Sequence, residues 1–312
     1  MLCCDAPFLL LLRTRRRIVS APRTAVKHAG LRTQLFSHMQ SLKFSSLALS
    51  AALAAVVFAS CKKDEDATPA GVGTVDIALE HKVGGADLDL TKSKAAYKTA
   101  AGDSFRVTKF TYYVSNVQLN KADGSSYKVP ESYFLVNEAN AATKHLTLAG
   151  IPVGDYNSLT FTIGVDSTRN VSGAQTGALS QSNGMFWMWS TGYIFLKLEG
   201  NYVQAGQAMP GALSIHIGGF RKPYNAIRTV TTPVPNNGLI AVRPDHRPEV
   251  HMQADVLAML SGPAPIRFGA TGPAGTTQVT SVGMAGPEAV KVASNYARAT
   301  NGMFSIEHVH AN

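Results

Sequence analysis

Residues 184–200 read GMFWMWSTGYIFLKLEG and contain both tryptophans of the chain, Trp187 and Trp189. In an extended strand, residues i and i+2 point to one face, so Trp187 and Trp189 would stand beside Met185. Two readings follow. One is a core strand, because Trp and Phe bury large areas. The other is an aromatic wall beside a site. Ile194, Leu196 and Leu198 share one face, so the second half reads as a strand either way.

Working outward, the dominant period past residue 74 stays at two. Val75, Ile77, Leu79, His81 and Val83 share one face of a half-buried strand. Between Phe105 and Leu119 the apolar phase slips twice, which predicts bulges or a bent strand. Leu159, Phe161, Ile163 and Val165 alternate cleanly, as do Leu213, Ile215 and Ile217, which puts Ser214 and His216 on the opposite face. Residues 167–184, rich in Ser, Gly, Asn and Gln, predict a long loop that is functional or disordered. An edge strand is expected around Leu239–Val242. Short helices are expected at Ala254–Leu260 and at Pro287–Ala299, the second with Pro at its start and Gly302 beyond its end. Near the end, Phe304, Ile306, His308 and His310 read as one strand face. The expected fold is all-β: a single antiparallel β-sandwich over residues 74–312, with one or two short helices near the C-terminus.

The first residues read differently. From Met39 a single base, Lys43, precedes an apolar run from Phe44 to Phe58 and then Ala59-Ser60-Cys61. A short basic start and an apolar run too short to span a bilayer comfortably predict a cleaved export signal over residues 39–60. Phe58-Ala59-Ser60-Cys61 resembles a bacterial lipobox, whose Cys is lipidated and becomes the mature N-terminus. Residues 61–73, with Lys62-Lys63-Asp64-Glu65-Asp66 and then Thr, Pro and Gly, predict a flexible tether. The charged run has two readings, solvation of the tether or an export signal for surface display. Residues 1–38 precede a complete signal and are read as a start-site misassignment.

Composition narrows the chemistry. The formal charge is +9, yet residues 1–60 hold eight of the 29 Lys and Arg and one of the 20 Asp and Glu, so the remainder has 21 bases against 19 acids. Nearly neutral, without a basic stripe interleaved with aromatics, the body is not expected to bind nucleic acid. The three cysteines are Cys3, Cys4 and Cys61. Beyond Cys61 neither a disulfide framework nor a thiolate metal site can form. Phosphate loops and nucleophile elbows are missing, and Asp166 reads as a turn cap rather than a calcium ligand.

Histidine is the informative residue type. His145 and His246 read as solvated loop residues, and His251 as capping or facing the first helix. His308 and His310, two apart on a strand, place both rings on one side, which suits either a shared ion or solvated rings at a chain end. His81, among Val75 and Leu79, reads as a core histidine or a ligand, and His216 as solvent-facing or a ligand. A thiol-free imidazole set suits borderline metals, and the affinity order favours copper.

Long stretches resemble one family, the MbnP-like copper-binding proteins. They are Phe110-Thr-Tyr112-Tyr113-Val-Ser115-Asn116, Phe161-Thr-Ile-Gly164-Val-Asp166, Gly184–Gly200, Ile215-His216-Ile-Gly218-Gly219 and Phe304-Ser-Ile-Glu-His308-Val-His310. The resemblance implies a β-rich extracytoplasmic domain, often a lipoprotein, with one copper held by histidines. Here those would be His81, His216, His308 and His310. It also implies a tryptophan oxidised to kynurenine as an added ligand, Trp187 or Trp189, made by a di-haem MauG-like enzyme. The expected function is therefore a monomeric copper-binding protein of the cell envelope, anchored to the outer membrane through Cys61, periplasmic or surface-exposed, for copper acquisition, storage or delivery, and not an enzyme. The alternative is a structural or carbohydrate-binding sandwich without a metal role.

Overall fold

The computed structural model describes residues 71–311 apart from 189, 270–276, 280 and 299. The stretch expected to be an export signal, Cys61, most of the expected tether and Trp189 lie outside the described residues. Nearly every described segment with a period of two is a strand. The main ones are β1 (Val72–Val83), β2 (Ser104–Asn120), β3 (Tyr133–Asn137), β4 (His145–Pro152), β5 (Ser158–Ile163), β6 (Phe186–Met188), β7 (Gly192–Val203), β8 (Pro210–Gly218), β9 (Arg228–Pro233), β10 (Glu249–Asp255) and β11 (Phe304–His310). Three helices accompany them: α1 (Ser167–Val171), α2 (Val256–Leu260) and α3 (Pro287–Tyr296). The all-β reading holds. The last two helices fall where they were expected, and α1 lies in the segment read as loop.

The strands form two main sheets. The smaller runs β11–β10–β1, with β4 on the far edge of β1. The larger runs β9–β5–β2–β7–β8. Most pairs are antiparallel, but β1 pairs with β10 in parallel. Their inner faces share one core. Phe304 of β11 packs edge-on against Tyr112 of β2 and Phe161 of β5, with ring centroids 5.6 and 5.2 Å apart. Such aromatic pairs add about 0.5–1.5 kcal/mol each beyond the area they bury.

Strand β2 explains the slipping phase. Thr111 and Tyr112 pair with both β3 and β7, so those strands flank it on opposite edges. From Phe110 to Ser115 every residue is buried, which means that both faces are covered and alternation cannot show. Past Ser115 the pairing to β5 shifts register and Asn116 adopts φ 52°, the bulge that the sequence implied. The 167–184 segment covers the outer face and is fastened there. The hydroxyls of Tyr113 and Tyr193 donate to the carbonyls of Ala178 and Leu179 at 3.0 and 2.6 Å. Asn170 accepts from the Tyr193 amide and donates to the carbonyls of Val165 and Asp166. Asp166 caps α1 by accepting from the Arg169 amide.

Register shifts again where β7 meets β2, between Glu199 and Gly200. A Cβ at Gly200 would overlap the carbonyl oxygen of Arg106. Gly200→Ala should therefore lower the unfolding free energy by about 1–3 kcal/mol. The expected readout is a lower urea midpoint at unchanged slope.

Candidate metal centre

Strand β10 reads Glu249-Val-His251-Met-Gln253-Ala-Asp255, with Val250, Met252 and Ala254 buried. The intervening Glu249, His251 and Gln253 therefore face outward. His251 is thus a strand residue on the outer face of the small sheet, not a helix-facing one; Asp255 caps α2, accepting from the Leu257 amide at 2.8 Å. The alternation that identified the other strands was present here too, and its polar half holds His251.

Strand β11 departs from strict alternation. Its partners are Met252 for Ile306 and His251 for His308, so Glu307 is an extra residue opposite a single step of β10. Such a bulge changes the phase of the side chains beyond it. Phe304 and Ile306 enter the core, and Val309, opposite buried Val250, packs against it. His308 and His310 turn outward and are exposed. The two imidazoles do not continue the apolar stripe as the spacing suggested. They leave the core and meet His251.

Three rings then converge. His251 and His308 stack with centroids 4.5 Å apart and planes 11° apart, and His310 stands edge-on to both at 4.9 and 4.7 Å. One nitrogen from each ring lies within 4.8 Å of the other two. The Nε2 atoms of His308 and His310 are 3.1 Å apart; in the neutral rings one must donate to the other, whereas a cation can take both lone pairs. Glu80 and Glu249 each place a carboxylate oxygen 4.0 Å from a nitrogen of His251. Uncharged nitrogen donors with carboxylates close behind them suit a borderline cation such as copper or zinc.

The other expected ligands stand apart. His81 is on the inner face of β1 and 5% exposed, on the side of the sheet opposite to His251. Its Nδ1 lies 2.6 Å from Glu138 and its Nε2 2.9 Å from the hydroxyl of Tyr112. A carboxylate can only accept, so Nδ1–H donates to Glu138, and in the neutral ring Nε2 accepts from Tyr112. Both nitrogens are thereby occupied, the arrangement of a satisfied core histidine. Burial pulls the His81 pKa down, outweighing the upward pull of Glu138. His216 belongs to the other sheet, where it faces outward from β8 with Nε2 2.8 Å from Glu199; burial lowers its pKa as well, against Glu199.

Trp187 is half-buried in the short strand β6, which folds back on Tyr193 of β7. Its ring lies over Gly218, two residues from His216, and a Cβ at that glycine would strike the indole. The Gly184–Gly200 stretch is therefore a hairpin, with Gly192–Val203 as a sheet strand and the tryptophan arm laid across the end of β8.

These features define a class: an all-β sandwich with a solvent-open histidine cluster and no thiolate in the described residues. The chain belongs to the MbnP family, whose sequence model matches residues 72–279. That range includes His81, Trp187, His216 and His251 and stops before His308 and His310. Among solved structures, MbnP from Methylosinus trichosporium is similar at 15% identity, over 77% of this chain and 99% of that chain, with a TM-score of 0.45. No curated protein matches.

The buried histidine sets a pH dependence. With its folded pKa below its unfolded value of about 6.5, the unfolded state binds more protons in that window. His81 thus contributes stability that is complete above the unfolded pKa and is lost as pH falls towards the folded one. Between pH 7.5 and 5.5 the urea midpoint should drop in the native protein. His81→Gln should be less stable at pH 7.5 and show a smaller drop.

Proposed function

We propose that the protein binds copper on the outer face of the small sheet through His251, His308 and His310. The observation that carries this reading is the convergence of three imidazole nitrogens within 4.8 Å of one another. Support comes also from membership of a family associated with methanobactin and copper and from a chain without Cys past residue 61. Imidazole donors bind divalent first-row ions in an order that peaks at copper. Bound copper would supply a Lewis-acidic or redox-active centre. The chain's own contribution is to hold three rings at the open end of a strand pair and to hold Glu80 and Glu249 beside them. The role we assign is binding, for acquisition, storage or delivery, rather than catalysis.

Around this centre the remaining assignments stay with the sequence. Lipidation at Cys61 would tether the domain to the cell envelope, at the outer membrane. Oxidation of Trp187 or Trp189 to kynurenine by a di-haem MauG-like enzyme is what the family resemblance implies. Intact mass of protein from its native host reads both modifications at once.

Copper titration against a competing chelator tests the centre. Outer-shell partners alone are typically worth about 10–100-fold in metal affinity, so His251→Ala, His308→Ala and His310→Ala should each cost roughly 100-fold or more. His81→Gln should leave the affinity unchanged. A triple alanine variant that binds copper like the native protein would overturn the assignment.

A further inference from the structure

The outer face of the small sheet holds a second group of donors beside the histidine cluster. Register aligns His308, His251, Ala78 and His145 in one row across β11, β10, β1 and β4. The next row is His310, Glu249, Asp76 and Thr147. Neighbouring strands lie about 4.8 Å apart, so His251 and His145 face each other across a single strand. The residue between them is Ala78, whose one-carbon side chain leaves a trough. Although it faces outward, Ala78 is only 6% exposed, because longer side chains stand around it.

Glu249 spans this trough. Its Oε2 is 4.0 Å from Nε2 of His251, and its Oε1 is 3.9 Å from Nδ1 of His145. The two neighbouring carboxylates are engaged by cations: Glu80 with Lys82 at 3.2 Å, and Asp76 with Arg247. No lysine or arginine among the described residues pairs with Glu249. A carboxylate with one oxygen turned to each of two imidazole groups, and no lysine or arginine paired with it among the described residues, has the form of a bridging ligand.

We propose that the trough above Ala78 is a second cation position, held by His145 and Glu249 and joined to the three-histidine centre through the Glu249 carboxylate. The proposal rests on the copper reading above and adds two ligands and a stoichiometry to it. The second position has fewer donors, so it is the weaker and faster-exchanging of the two. An ion arriving from solvent meets His145 first, and Glu249 offers the same ion an oxygen on the side of His251.

Equilibrium dialysis of the full chain against copper(II), with metal analysis and electron paramagnetic resonance of the same samples, tests this. The native protein should bind two equivalents, and its integrated spin signal should fall below the bound copper as the second equivalent fills, because ions sharing a carboxylate couple. His145→Ala should bind one equivalent, with the first-equivalent affinity kept and the spin count equal to the copper. Ala78→Leu removes no ligand but fills the trough, and should give the same result. One equivalent in the native protein, or a second equivalent that survives both substitutions, overturns the second position. Loss of all binding in the His251, His308 and His310 variants, together with either of those results, leaves the first centre standing. Native-like binding in those variants overturns the first centre instead.

Discussion

Strand β2 is covered on both faces and paired on both edges between Thr111 and Tyr112, and the rest of the molecule is arranged to make that burial affordable. A strand in this position exposes no backbone polar group to water, so each must find a partner in the protein. The small sheet closes the inner face with Phe304. The 167–184 segment closes the outer face, held by the hydroxyls of Tyr113 and Tyr193. One consequence is a division of surfaces. The outer side of the large sheet carries a packed loop and the tryptophan hairpin, while the small sheet keeps an open polar face on which side chains can meet an ion.

The histidines separate along the same line. Inside, His81 has Glu138 on one nitrogen and Tyr112 on the other, and burial holds it neutral. A ligand for metal needs a lone pair, and this ring has already committed its own. Outside, His251, His308 and His310 have chiefly one another, with carboxylate oxygens 4.0 Å from His251. Imidazoles that satisfy each other only in part are the groups that gain most from a cation. Chemical type is identical in the two places; the difference lies in which partners the fold supplies.

Much of this was legible in the residues. Alternation located β1, β5, β7 and β8, and the phase slips in Phe105–Leu119 announced the bulge at Asn116. Proline at the start of α3 and the lack of thiols were equally plain. Three things were not. Glu307 looks like an ordinary strand residue, and only pairing with Met252 and His251 shows that it is the extra one, so His308 and His310 could not be assigned to the outer face from spacing. His251 was within reach of the alternation in Glu249–Asp255 but stands just ahead of a helix, which drew its reading that way. The parallel pairing of β1 with β10 joins segments far apart in the chain, and no local pattern encodes which distant strands become neighbours.

The seat of Trp187 on Gly218 has a further meaning. The indole atoms that a Cβ at this glycine would strike are Cζ3 and Cη2, on the benzenoid edge and remote from the pyrrole nitrogen. That seat therefore holds the benzenoid half of the side chain. A chemical change confined to the five-membered ring would leave that contact with Gly218 in place.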